Sequence, residues 1–390
     1  MKFNLFVKKF CCLVVLLLAG VAFGARVRRE VKIPDVPGYV TVKCDFHMHT
    51  VFSDGRVWPD VRVEEAWREG LDAFAIADHI EYHIHEEDVR IDHNRSYEIA
   101  LPRAESLGLT IIRGAEISRD MPPGHLNAIF VKDSAALDTQ EWRDAVKAGI
   151  EQGAFVFWNH PGWKKQAPEG KSVWYAEHTE LYEKGWMHGI EVVNNDEYYP
   201  LVHKWCLEKK LTMVGNSDVH NPTNLNYEFH EGEHRAMTLV LAKDKSKEAI
   251  KEALKDRRTV VYWKNMLIGE EKYLRAIFNE SIEIVNDEVT IKGEGAVHIQ
   301  IRNRSEIDFE LSANGAVEGI SVPEDIRLYG DKSVLLRIRG STEDFSGNKK
   351  IGIPYKVKNL LIGPDEGLGA ELVIKVNFVP ADKATGSPEG

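Results

Sequence analysis

Nine side chains of metal-ligand type stand in six short segments: His47, His49 and Asp54 in DFHMHTVFSDG, His79 in ADH, Glu116 in GAEI, His125 in GHLN, His160 in NHPG, and Asp218 with His220 in NSDVH. Neutral imidazole suits zinc and other first-row transition ions, whereas carboxylates add charge and can bridge two ions. Six His, one Glu and two Asp form a mixed set, sufficient for two or three divalent ions such as Zn, Mn or Fe. Two ions about 3.5–4 Å apart share a bridging ligand and a hydroxide, which in phosphoester chemistry attacks phosphorus in line with the leaving oxygen. Singly these residues say little: His160 reads as a packed rim histidine, Glu116 as a capping or surface acid, and Asp54 in Ser-Asp-Gly as a turn. Their recurrence at one kind of position is what points to a site.

That position is the end of a strand. Short, nearly continuous apolar runs over 42–48, 73–77, 109–117, 126–131, 154–158, 189–194 and 211–215 predict seven strands buried on both faces, as in a parallel sheet. Amphipathic stretches lie between most of them. Pro59 and Asp60 open a helix over 61–68 that Gly70 ends, Asp138 with Glu141 forms a capping pattern before 142–150, and Pro200 opens 201–209. Alternation of this kind implies βα units. The ligand candidates follow the C-terminal strand ends, where the loops of a closed βα barrel converge. Seven strands suggest a barrel one unit short of the common eight; an open doubly wound sheet, the alternative, would gather ligands at one switch point. On strands, alternation lets His47 and His49 face the same way, and likewise Asp218 and His220.

With these motifs in this order, residues 41–263 resemble the PHP family, named after polymerase and histidinol phosphatase and similar to amidohydrolases. The resemblance implies an α/β fold, a distorted seven-stranded TIM-like (β/α)7 barrel over 41–265. It also implies one metal on His47, His49, Glu116 and Asp218, a second on Glu116, His125 and His160, and a third on Asp54, His79 and His220. Glu116 would then be the bridge, and Glu116, Asp218 and His220 the residues closest to the reaction. Position 54 is His in some members and Asp here, and a carboxylate favours harder ions than an imidazole does.

Beyond about 264–272 the character changes. All nine Trp and fourteen of fifteen His precede that boundary, while 297–301, 334–338, 350–357 and 371–376 alternate polar and apolar residues. This is the pattern of half-exposed antiparallel strands, so 272–380 reads as a small all-β sandwich, with 381–390 as a disordered tail. At the other end, Lys2, Lys8 and Lys9 precede an apolar run over 11–20 and small residues near Gly24. Residues 1–24 therefore read as a signal peptide, too short in its apolar part for a membrane span, and the protein as exported to a periplasmic or extracellular space. Losing that segment removes three lysines and no acid, which takes the formal charge from −11 to −14. So acidic a chain has no general surface for nucleic acid. Only Cys44 and Cys206 remain, which is no disulfide framework.

A phosphate also needs positive side chains. Arg119, Lys164 and Arg235 rank first because they lie near strand ends, ahead of Arg113 and Lys165. His83, His85 and His93 lie in an acidic insertion that reads as a solvated loop, and Trp158, Trp163 and Trp174 surround the His160 segment, where packing or a flat leaving group would explain them. Together these features predict an exported metal-dependent phosphoesterase that cleaves small phosphate mono- or diesters with a cluster-bound hydroxide. The alternatives are an amidohydrolase-like hydrolase of carboxylic esters or amides, a nuclease-type phosphodiesterase, and a non-catalytic surface-binding protein. Oligomeric state has no signal in the sequence.

Overall fold

The structure, a computed structural model, describes residues 27–167, 169–342 and 345–381. The leader at 1–24 lies outside the described residues, as does the tail from 382 onward. Among the described residues no helix is long and apolar enough to cross a membrane.

The N-terminal part runs β1 (Val40–Asp45), α1 (Pro59–Arg68), β2 (Ala73–Ile76), α2 (Arg95–Ser106), β3 (Thr110–Ser118), β4 (His125–Ile129), α3 (Trp142–Glu151), β5 (Phe155–Trp158) and α4 (Ala176–Glu183). It continues through β6 (Gly189–Asn194), β7 (Glu197–Tyr198), α5 (Pro200–Lys209), β8 (Thr212–Asn216), β9 (Met237–Ala242), α6 (Lys247–Lys255), β10 (Thr259–Trp263), β11 (Met266–Gly269) and α7 (Glu271–Ser281). All seven expected strands are present, and their residues are buried on both faces almost throughout. Prolines open α1 and α5 as their spacing predicts. The expected cap at Asp138 does not form: Glu141 is the N-cap of α3, and Asp138 instead ends a short 3-10 turn over Ser134–Leu137.

The sheet is mixed, not the all-parallel closed barrel that the resemblance implies. β1, β2 and β3 are parallel neighbours, but β4 is antiparallel to both β3 and β5. Only residues 119–124 join β3 to β4, and so short a link makes a hairpin, since a parallel crossover needs a dozen residues or more. β5, β6 and β8 are again parallel, while β9 runs antiparallel to β1 and to β10. No backbone ladder joins β8 to β9. Side chains cross that gap: Thr238 Oγ1 accepts from Gly215 N–H and donates to Gly215 C=O, both at 2.9 Å, and Thr259 Oγ1 on β10 donates to Met213 C=O of β8 at 2.8 Å. Gly215 permits the approach, because a Cβ there would lie 2.3 Å from Val261 Cγ1. One isolated parallel bridge, Met48 to Val219, links the segments beyond β1 and β8.

The C-terminal part contains β12 (Ile282–Ile284), β13 (Glu288–Lys292), β14 (Ala296–Asn303), β15 (Phe309–Ala313), β16 (Ile320–Ser321), β17 (Asp325–Leu328), β18 (Ser333–Gly340), β19 (Gly347–Gly363) and β20 (Glu366–Val379). One sheet is ordered β12-β14-β18-β16, and β13, β20, β19, β15 and β17 belong to the other. At the boundary expected near 264–272 the two parts are joined. β11 pairs in parallel with β19 through Leu267 and Leu360, so one sheet passes from one domain into the other. Leu274, Ile277 and Phe278 on one face of α7 are buried in a core shared with Phe309, Leu360 and Leu372. Each such side chain contributes about 1.5–3 kcal/mol, enough to hold the two domains as one packed unit.

Candidate metal centre

The nine sequence candidates meet in one place. His47 and His49 lie just past β1, held to the chain after β8 by His49 N–H to Val219 C=O (3.1 Å) and Asp218 N–H to His47 C=O (2.9 Å). Arg62, fully buried on α1, donates to the carbonyls of His49 (2.9 Å), Val219 (3.0 Å) and Asn221 (2.8 Å), and so fixes both ligand-bearing segments at once. Asp54 sits on a turn whose Gly55 packs against backbone; a Cβ there would be 2.6 Å from the carbonyl carbon of His49. His160 and Asp218 have φ of 29° and 52°, a region that costs a non-glycine residue about 1–3 kcal/mol and persists where surrounding structure enforces it.

Glu116 is the hub. Its Oε1 lies 2.9 Å from His125 Nδ1, 3.4 Å from His160 Nε2 and 3.5 Å from His47 Nε2, and its Oε2 lies 2.6 Å from His79 Nδ1 and 3.5 Å from His49 Nε2. Asp218 Oδ1 is 3.0 Å from His49 Nε2, 3.3 Å from His47 Nε2 and 3.6 Å from His220 Nδ1. Asp54 Oδ1 lies 3.1 Å from His220 Nε2 and 3.4 Å from His79 Nε2. Despite this crowding, His47 Nε2, His49 Nε2, Asp54 Oδ1, Glu116 Oε2 and Asp218 Oδ1 are buried without a hydrogen-bond partner. An orphaned buried polar atom costs about 1–3 kcal/mol, yet here they occur together and face one another. Ligand bonds of about 2.0–2.2 Å in a tetrahedral shell place neighbouring donors about 3.3–3.6 Å apart, the spacing of most of these pairs. The donor set therefore fits divalent cations.

Charge follows the same logic. Burial opposes ionisation of Glu116, but His79, His125 and His47 hold its carboxyl well below the usual range. Asp218 is likewise held low against burial, by His47, His49 and His220. Burial together with His220 and His79 pushes His49 down to about 3. His79 goes the other way, up to about 10, because Glu116 and Asp54 outweigh burial. In the metal-free protein His79 keeps a proton beside Glu116 and Asp54, positive charge that a cation would replace.

The chain matches a solved two-domain protein from Bacteroides vulgatus, described as containing a predicted PHP-like metal-dependent phosphoesterase, with 44% identity and a TM-score of 0.85 over 90% of this chain and 100% of that one. The chain belongs to the PHP-like family. A provisionally named metal-dependent phosphoesterase from Bifidobacterium adolescentis (17% identity, 54% of this chain, 95% of that one, TM-score 0.40) is also similar, as is an amidohydrolase from Chromobacterium violaceum with bound sulfate and no metal (15%, 46%, 88%, TM-score 0.35). At those scores neither carries an argument. A family model described as an Ig-like domain matches residues 282–373, and the search of curated proteins finds no match.

Within this PHP-like domain the ligand candidates form overlapping groups. His47, His49 and Glu116 form one; His49, Asp54, His79 and His220 another; His79 joins Glu116 and His125; and His47 joins His160 and Asp218. These cut across the three expected sets at His49, His79 and His160, and His47, His49, His79 and Glu116 each belong to two groups.

Residues outside the nine hold the site in place. Glu191, fully buried on β6, accepts from His47 Nδ1 (2.9 Å), Asn216 Nδ2 (2.9 Å), His160 N–H (2.7 Å) and Asn194 Nδ2 (2.8 Å). That contact leaves His47 Nε2 facing the centre, the carboxylate–histidine arrangement that orients metal ligands. Asn159 Nδ2 donates to Glu116 Oε1 at 2.8 Å, and Asp78 accepts from Thr50 N–H, Thr50 Oγ1 and Ser53 Oγ at 2.6, 2.8 and 2.9 Å. A lone acid inside the apolar run GIEVV was the sequence signal for Glu191.

Above this floor opens a cleft of about 1080 Å³. Of the expected phosphate contacts, Arg119 lines it, tied to Glu81 at 2.9 Å and to the Thr139 carbonyl at 2.7 Å. Lys164 is exposed and does not line the cleft, whereas its neighbour Lys165 does. Arg235 is fully buried away from the cleft, with Nη1 3.0 Å from Asp45 and Nε 2.7 Å from Glu69, so it braces the interior of the N-terminal domain and is not a substrate contact. Of the three tryptophans only Trp163 faces the cleft; Trp158 is buried against His178 at 3.7 Å. His85 of the acidic insertion donates from Nε2 to the Gly55 carbonyl at 3.0 Å, which supports the Asp54 turn.

Proposed function

We propose that the chain hydrolyses small phosphate mono- or diesters at a centre of two or three divalent ions held by the nine residues. The observation that carries this reading is the set of mutually facing, buried and unpaired ligand atoms around Glu116 and Asp218. The assignment of His47, His49, Glu116 and Asp218 to one ion, Glu116, His125 and His160 to a second, and Asp54, His79 and His220 to a third belongs to the same proposal. Bound there, Zn, Mn or Fe supplies Lewis acidity toward a phosphoryl oxygen and lowers the pKa of an attacking water. The chain's part is to position and to exclude. Glu116 stays ionised between five imidazoles, Glu191 fixes the His47 ring, and Arg62 locks both ligand segments. His220 is the most solvent-accessible of the six imidazoles, and its Nδ1 is engaged by the Asp218 carbonyl at 2.8 Å, so Nε2 faces Asp54 at the cleft. That placement holds Nε2 toward the third ion's site. Arg119 and Lys165 are the cations at hand for a phosphate.

The test uses protein lacking residues 1–24, loaded in turn with Zn, Mn and Fe and offered phosphate monoesters, phosphate diesters, carboxylic esters and amides. Turnover of a phosphoester is expected, and Glu116→Ala and Asp218→Ala should each lower it by more than about 100-fold. Activity confined to acyl substrates would replace the reading with the amidohydrolase-like one, and protein that binds no metal would remove it. We also propose, from the basic start and apolar run of residues 1–24, that the protein is exported; cell fractionation with and without that segment tests this.

A further inference from the structure

We propose that the alcohol released at this site is a neutral polyol, so that the substrate is a sugar-like phosphomonoester; this rests on the phosphoester reading above. The candidate ligands take up only the floor of the cleft of about 1080 Å³, which leaves room for an alcohol much larger than the phosphoryl group. Above the floor the lining charge is acidic. Glu81, Asp120, Asp196 and Glu197 face two cations, Arg119 and Lys165, and Arg119 is already engaged by Glu81. A second phosphate or a carboxylate on the alcohol would meet net negative charge.

The polar lining is of the kind that reads hydroxyls. Asn195 supplies an amide, with a donor and an acceptor, next to the carboxylates of Asp196 and Glu197 on one wall, while the amide of neighbouring Asn194 is engaged by Glu191. Amides have no special use for a quaternary ammonium group, but a hydroxyl donates and accepts at once. On the Arg119 wall, Arg119 Nε and Gln166 Oε1 are buried without partners, one a donor and one an acceptor, while Gln166 Nε2 donates to the Arg119 carbonyl at 2.8 Å. Trp163 completes the set. Its ring lies 5.2 Å from His160 and 5.6 Å from His125, so it stands beside the reaction floor and offers an apolar face to the C–H side of a sugar ring.

The experiment measures kcat/KM of the metal-loaded protein for a hexose 6-phosphate, a hexose bisphosphate, phosphocholine and phenyl phosphate. The hexose monophosphate should exceed the bisphosphate and phosphocholine by about tenfold or more, the scale of one or two lost hydrogen bonds. Glu197→Gln and Trp163→Leu, checked for unchanged metal content, should each lower the ratio of hexose phosphate to phenyl phosphate by about tenfold. Preference for the bisphosphate or phosphocholine, or a ratio unchanged in both variants, overturns the polyol assignment while leaving the phosphoester reading standing. Absence of turnover on all four monoesters overturns the polyol assignment, and the phosphoester reading falls with it only if phosphate diesters are not turned over either.

Discussion

Two groups of buried histidines in one domain have opposite surroundings. At the rim, His47, His49 and His79 sit within 4 Å of the carboxylates of Glu116, Asp54 or Asp218, and ring nitrogens face oxygens without hydrogen-bonding to them. In the wall, buried His178 and His203 and half-buried His188 have no carboxylate partner. His178 bonds to the Pro123 carbonyl (2.8 Å) and accepts from Tyr175 N–H (3.0 Å), His188 accepts from Val156 N–H (2.9 Å), and His203 meets Tyr198 Oη (2.8 Å). Burial alone pushes His203 down to about 4, and it is the leading cause at His178 and His188, also about 4. Burial makes an imidazole a neutral packing group; converging carboxylates make it a candidate ligand. What distinguishes the rim is therefore the company of Glu116 and Asp218, more than the histidines themselves.

The comparison breaks most sharply at Glu191, the buried acid that belongs to the rim without being one of the nine. Glu191→Gln puts an amide donor in place of one of two oxygens that each accept two donors, so either His47 and Asn216 or the His160 backbone and Asn194 lose their acceptor. Metal affinity and phosphoester turnover should fall by about 10–100-fold, the usual cost of losing an outer-shell partner. Metal titration of the purified variant, followed by its circular dichroism, separates this from unfolding. Wild-type affinity would reduce Glu191 to a packing group.

The sequence carries some of this contrast and hides the rest. Short apolar runs are legible as buried strands, and ligand-type residues just beyond them are legible as a rim, because both signals are local. Strand direction is less local. β9 and β10 are as apolar as their neighbours, and nothing in their residue types says that β9 runs antiparallel to β1 and β10 antiparallel to β9. The β3–β4 hairpin was readable from the short link at 119–124. Arg235 shows the limit most clearly: a charge before an apolar strand looks the same whether it meets substrate or an ion pair, and its partners Asp45 and Glu69 lie 190 and 166 residues away. The continuity of the two domains has the same origin, since the pairing of β11 with β19 joins residues about 93 apart in sequence.

The smallest effect expected is on the wall, and its sign is set by which state binds protons. His178 is neutral in the fold with a pKa of about 4, whereas an unfolded histidine titrates near 6.5. Below about pH 6.5 the unfolded chain takes up a proton that the fold refuses, so stability is complete above that value and falls as pH drops toward 4. For this one side chain the loss reaches about 3 kcal/mol. His178→Phe keeps a ring against Trp158 but has nothing to protonate. It should cost about 1–3 kcal/mol at pH 7.5, from the unpaired Tyr175 N–H and Pro123 carbonyl, and then lose less stability than the native chain between pH 7.5 and 4.5. Urea unfolding of chelator-treated protein at the two pH values measures that difference, since metal release at the rim then contributes to neither arm. Equal losses in the variant and the native chain would mean that His178 titrates as freely in the fold as outside it, and the distinction between wall and rim would rest on geometry alone.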